Sequence, residues 1–169
     1  MPIGLDDTDV RVLQHLQENA RLTNVELAER VGLSPSPCLR RLKRLEAEGV
    51  IKGYMTLVDQ NAIGLPVNVF VSVTLKEQTE PALEEFEARI RALPQVMECY
   101  LMTGTADYML RVVTADLAAY ERFLKDHLTR IPAIASIQSS FALKQVTFRT
   151  ALPLSAKRSR HRAPPRSNP

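Results

Sequence analysis

Apolar positions recur at helical spacing early in the chain and at strand spacing from Val67 onward, so the pattern predicts two halves of different construction. Val10, Leu13 and Leu16 form one stripe between Leu5 and Asn19, which reads as a first helix. Asp6 can cap it, and Asp9 adds an acidic first turn that suits the helix dipole. Thr23-Asn24-Val25-Glu26 is a capping box. It opens a second helix, expected to bury Val25, Leu27, Ala28 and Val31 and to end at Gly32, where a left-handed residue is tolerated. Ser34 is the expected cap of a third helix. Pro35 takes its first position, where the missing amide is harmless, and Gly49 stops it after Glu48. A short helix, the turn Gly32-Leu33-Ser34 and a further helix give the helix-turn-helix order. Val50 to Val58 reads as extended, and residues 59–66, with Asn, Gly and Pro, read as a linker.

The second half alternates. VNVFVSVTL, from Val67 to Leu75, is a β-branched strand pattern. Pro81 to Leu93 presents Leu83, Phe86, Ile90 and Leu93 on one helical face. Strands are expected at Val96 to Met102 and Tyr108 to Val113, flanking Thr103-Gly104-Thr105-Ala106-Asp107, with a helix from Leu117 to Leu128. Ile134 to Phe148 reads as a long final strand or a strand pair. The order βαββαβ predicts a ferredoxin-like domain, so the fold class is α+β: a winged-type helix-turn-helix domain followed by a ferredoxin-like one. The expected boundaries are 1–58, a linker at 59–66, a second domain at 67–150 and a tail at 151–169.

The third helix carries the candidate chemistry. At about 100° per residue, Cys38, Leu39, Leu42 and Leu45 share an apolar edge centred at about 270–300° from Leu39. Arg40 and Arg44 oppose that edge, and Arg41 and Lys43 flank them. A helix with one buried edge and four cations fits a major groove, where Arg can read guanine and both cation types neutralise phosphate. Ser36, Pro37 and Arg40, near its start, are the expected base contacts, with Arg41, Lys43 and Arg44 on phosphates. The alternative is a solvated helix whose Glu46 and Glu48 pair with Lys43 and Arg44.

Charge changes the picture of the ends. Lys plus Arg against Asp plus Glu is 8 to 9 over residues 1–60, 9 to 10 over 61–150, and 5 to 0 over 151–169. The basic pI of about 9.0 therefore comes from a Pro-rich tail without apolar periodicity, and DNA binding must be argued from local charge. The tail is expected to be disordered, either as a solvated end or as an extra phosphate contact. Cys38 and Cys99 form no CxxC pair, and His15, His127 and His161 have no ligand spacing, so neither a metal nor a metal-dependent activity is expected. The opening MPIGLDDTDV has no cationic stretch before an apolar run, and no apolar run reaches membrane-spanning length, so a cytoplasmic, nucleoid-associated protein is expected.

From LDDTDVRVLQHLQENARLTNVELAERVGLSPSPCLRRLKRLEAEGVIKGY through YLMTGTADYMLRV to SSFALKQV, roughly residues 5–150, the chain closely resembles the Lrp/AsnC family of transcription regulators. The resemblance implies a second domain that binds an amino-acid effector and builds homodimers through its sheet. These would assemble into tetramers or octamers, with effectors held between dimers. It implies DNA and an amino acid as partners, regulation of amino-acid metabolism genes, and no catalysis. By its residues alone the segment from Thr103 to Asp107 reads as a hairpin turn. The resemblance makes it the effector loop, with Met102, Thr103, Gly104, Thr105, Ala106, Asp107 and Tyr108 on one side and Ser139, Ser140 and Phe141 facing it. Free amides near Gly104 would hold a carboxylate and Asp107 an ammonium group, with an apolar wall favouring leucine or methionine. The family often has an acidic residue where this chain has Thr105. Two other readings are a ligand-independent architectural DNA-binding protein and an enzyme resembling sirohaem decarboxylases, which share this architecture.

Overall fold

The computed structural model describes residues 4–155. They divide into two units: residues up to Thr56 together with those from Thr147 onward, and Leu57–Val146.

The first unit is built on three helices: α1 (Asp7–Glu18), α2 (Asn24–Val31) and α3 (Pro35–Ala47). The expected capping box at Thr23 forms, and Asp6, the expected cap of α1, forms a second one with Asp9. The Asp9 N–H donates to Asp6 Oδ1 at 2.7 Å, and the Thr23 N–H donates to Glu26 Oε2 at 2.7 Å. Gly32 closes α2 at φ 69°, where any side chain would be strained. Ser34 stands at the N-cap of α3, but its hydroxyl makes no capping bond. Asn24 does the joining instead: its Nδ2 donates to the Pro35 carbonyl at 2.9 Å and ties the start of α2 to the start of α3. Val12, Leu13, Leu27, Ala28, Val31, Cys38 and Leu45 form the core, each shedding nearly all its contact with water. Val25, expected inside, is 53% exposed. Residues 50–58, expected to be extended, form neither helix nor strand, so the wing has no ladder among the described residues.

The second unit is a four-stranded antiparallel sheet in the order β2-β3-β1-β4, made of β1 (Val67–Leu75), β2 (Val96–Leu101), β3 (Tyr108–Thr114) and β4 (Ile134–Phe141). Helices α4 (Glu80–Arg91) and α5 (Leu117–Asp126) both pack on one face, through Phe86, Ile90, Tyr120 and Phe123. Alternation dictates that face: Val69, Val71, Val73 and Leu75 point to the helices, and each aliphatic side chain so buried contributes about 1.5–3 kcal/mol. Asn68, Phe70, Ser72 and Thr74 point the other way, to a face that carries no helix. β4 ends at Phe141 instead of running to Phe148. Residues 152–154 are not a free tail but lie on α1, and the basic sequence from 156 onward is outside the described residues.

Candidate functional site: a nucleic-acid interface and an effector loop

The face of α3 is set by an acid on α1. Asp9 is fully buried, and its carboxylate is the third residue of the α1 capping box. Arg41 Nη1 donates to Asp9 Oδ1 at 2.8 Å and to Asp6 Oδ2 at 2.6 Å, and Arg44 Nη2 donates to Asp9 Oδ2 at 2.5 Å. The amide of Asp9, followed by the Arg41 guanidinium, holds the Asp6 carboxyl below its ordinary value despite some burial, and the side-chain bonds to Asp6 and then Asp9 raise Arg41 further. Arg41 and Arg44, expected on phosphates, are thus ion-paired within the chain while staying partly exposed. The missed signal is spacing: Asp6 and Asp9 stand three apart, as do Arg41 and Arg44, so one turn of α1 matches one turn of α3.

The burial along α3 departs from the expected wheel at one position. Cys38 and Leu45 are wholly buried, while Leu39 is 39% exposed. Ser36, Leu39, Arg40 and Lys43 form the outer face, with Pro37 half-buried beside them. Among the described residues Arg40 and Lys43 make no ion pair. Glu46, the expected neutraliser of Lys43, instead accepts the Tyr54 hydroxyl at 2.8 Å, and burial together with that carboxylate pushes Tyr54 up to about 12. The result is a helix with two outward cations, Arg40 and Lys43, and two inward ones locked to an acid.

The loop between β2 and β3 is a second built feature. The Met102 N–H donates to the Asp107 carbonyl at 2.8 Å, closing the loop, and the Asp107 N–H donates to the Val73 carbonyl at 2.9 Å. Gly104 sits at φ 127°, a conformation only glycine adopts freely. The amides of residues 103–106 donate to no acceptor among the described residues, and Met102, Thr103, Gly104 and Thr105 are exposed. Asp107, expected to hold an ammonium group, is hydrogen-bonded within the chain. Its Oδ2 accepts the Leu75 N–H at 2.7 Å and its Oδ1 accepts Gln78 Nε2 at 2.6 Å, so it is a post that fixes the loop to the end of β1.

Three further expected ligand residues are placed elsewhere. Tyr108 is buried against Phe86, its hydroxyl donating to Glu87 Oε1 at 3.1 Å; burial, then Glu87, pushes it up to about 12. Ser139 Oγ is hydrogen-bonded to the Tyr120 hydroxyl at 2.5 Å, and the Phe141 ring meets Tyr120 edge-on at 5.3 Å, so both face the helices. Ser140, paired with Phe70, faces the open side of the sheet. Asp107 reaches Val73, while Phe141 pairs with Val69. At a rise of about 3.3 Å per residue, four residues of β1 separate the two by roughly 13 Å. One chain therefore does not bring the loop and this segment together.

Comparisons with known proteins agree with this geometry. Residues 68–152 match the Lrp/AsnC ligand binding domain, and residues 5–52 match a winged helix-turn-helix DNA-binding domain. The chain is 51% identical over 150 residues to the Bkd operon transcriptional regulator of Pseudomonas aeruginosa, covering 89% of this chain and 98% of that one. It is 39% identical to the leucine-responsive regulatory protein of Haemophilus influenzae, covering 85% of this chain and 86% of that one. A transcriptional regulator of Neisseria meningitidis solved with L-Met superposes with a TM-score of 0.85 at 44% identity, covering 89% of this chain and 97% of that one.

Proposed function

The chain belongs to the Lrp/AsnC family of DNA-binding transcription regulators and is not an enzyme, and from that membership we propose that α3 reads the major groove under the control of an amino acid held on the loop at 103–107. The observation that carries the DNA half is the division of the α3 cations. Arg41 and Arg44 are consumed by Asp9, and Ser36, Arg40 and Lys43 are left facing out. Arg40 is placed to read a guanine edge and Lys43 to meet phosphate, while the outward Leu39 suits a thymine methyl. Arg41 and Arg44 are positioning residues.

The effector half rests on the free amides of residues 103–106, which suit a carboxylate, with the exposed Met102 side chain as an apolar neighbour. The ammonium partner must come from outside this loop, because Asp107 is occupied. A second copy of the chain is the source this architecture supports, through homodimers that associate further into tetramers or octamers. Methionine and leucine are the proposed effectors, since one similar structure was solved with L-Met and one relative carries the name leucine-responsive. Control of amino-acid metabolism genes from a cytoplasmic, nucleoid-associated pool follows from the same reading.

The test measures operator-fragment binding with and without each amino acid. Arg40→Ala should weaken specific binding by about 1–3 kcal/mol, whereas Arg41→Ala should lower the melting temperature more than it changes the contacts to DNA. Equal affinity for the wild type and Arg40→Ala would remove Arg40 from the interface. A binding curve unmoved by all twenty amino acids would favour the ligand-independent architectural reading.

A further inference from the structure

We infer that residues 152–154 are a strap that docks on α1 and carries the state of the ligand-binding unit to the reading helix. This rests on the effector and DNA readings above. The chain passes between the two units twice, once near Leu57 and again near Thr147. On the second passage it is anchored at both ends. The Ala142 N–H, just past β4, donates to the Asn68 carbonyl at 3.0 Å and fixes that end to the sheet. Further on, Gln17 of α1 grips the Leu152 backbone at two points, its Oε1 accepting the Leu152 N–H at 2.6 Å and its Nε2 donating to the Leu152 carbonyl at 3.2 Å. Gln14 Nε2 donates to the Leu154 carbonyl at 3.4 Å. Pro153, between the two gripped residues, has no N–H to satisfy. Leu154 is half-buried against the three-helix core. Neither glutamine side chain makes any other hydrogen bond among the described residues.

Three hydrogen bonds and one half-buried leucine make a contact that forms and breaks readily, since each bond is exchanged against water at small net gain. The tether raises the concentration of the strap at α1 to roughly the millimolar range, and that concentration depends steeply on where the tether starts. From Ala142 to Leu152 the chain reaches at most about 33 Å, so a displacement at the end of β4 changes how often α1 is occupied. The same helix holds the reading face: Asp6 and Asp9 of α1 bind Arg41 and Arg44 of α3, which presents Arg40 and Lys43 outward. At the other end, β4 pairs with β1, whose Leu75 amide is bonded to Asp107 of the effector loop. Loop, β1, β4, strap, α1 and α3 are thus joined in sequence by backbone and hydrogen bonds, the contiguous route that coupling between two sites can follow.

The experiment follows amide exchange at Leu152 and at residues 103–107 by NMR, and operator-fragment affinity by anisotropy, with and without L-methionine or L-leucine. It compares the full chain with Gln14→Ala plus Gln17→Ala, which removes the grip from α1, and with Leu152→Pro, which removes the gripped N–H and leaves α1 intact. Each variant is checked for native circular dichroism. The Leu152 amide should exchange at least about ten-fold faster in the glutamine variant than in the wild type. The amino acid should alter Leu152 exchange in the wild type and slow exchange at 103–107 in all three proteins. A wild-type shift in operator affinity of about five-fold or more should shrink to within about two-fold in both variants. Equal Leu152 exchange in the wild type and the glutamine variant would overturn the strap. A full affinity shift in Leu152→Pro would overturn the coupling and assign any loss in the glutamine variant to α1 itself. No response to either amino acid at 103–107 or in operator affinity would overturn the effector reading, and the coupling with it.

Discussion

Asp9 shows how much one side chain decides. It is a capping residue, a buried acid and the common partner of two arginines. Asp9→Ala should lower stability by about 1.5–3 kcal/mol, the scale of hydrogen bonds to charged groups. Arg41 and Arg44 remain partly exposed and can turn to water, which keeps the loss from being larger. Asp6 adds a pH signature. Its folded carboxyl lies below the ordinary 3.8, so its contribution is complete above that value and is lost as the pH falls through the lower folded value. The melting-temperature gap between the wild type and Asp6→Asn should therefore be constant near neutrality and close below pH of about 3.8. A gap that persists in acid would mean that the carboxylate charge is not what Asp6 contributes.

At the scale of elements, the loop between β2 and β3 is held from one side. Its only carboxylate is spent on Leu75 and Gln78, and its own amides are left over. Asp107→Ala should thus act on the loop rather than on a ligand ammonium. The Leu75 amide, protected by a 2.7 Å bond, should exchange markedly faster with solvent, and any effector affinity should fall through loss of loop order. Unchanged exchange at Leu75 would return Asp107 to the role of a direct ligand contact. Thr103→Pro removes one of the free amides while leaving the post intact, and offers the complementary measurement.

At the scale of the whole molecule, the open side of the sheet is where the proposed homodimer would pair. Phe70 is 41% exposed and Tyr100 55% exposed, set among Arg111, Glu98 and Asn68, which are already hydrogen-bonded to one another. An apolar centre within satisfied polar groups suits a self-complementary interface. Phe70→Asp should reduce the mass in light scattering to that of a smaller species while leaving far-ultraviolet circular dichroism native. An unaltered mass would exclude this face from the assembly.

The elements were legible in the sequence because their signals are local. The cap at Asp6, the capping box at Thr23, Gly32 at a left-handed end and strict alternation through Val67–Leu75 involve residues a few positions apart, and all appear as expected. The βαββαβ order follows from them, and the motifs from LDDTDV to SSFALKQV carried the family. What only the tertiary structure decided is where long polar side chains spend their hydrogen bonds. Arg41 and Arg40 are neighbours and alike in sequence, yet one is tied to α1 and the other faces out, because a buried Asp9 lies on one side of α3 only. Asp107, Tyr108 and Ser139 likewise had suitable chemistry for a ligand, but nearer donors and acceptors within the fold took them first. Periodicity identifies a face to within a residue or two; a buried charge chooses between neighbours, since leaving it unpaired costs more than turning a helix.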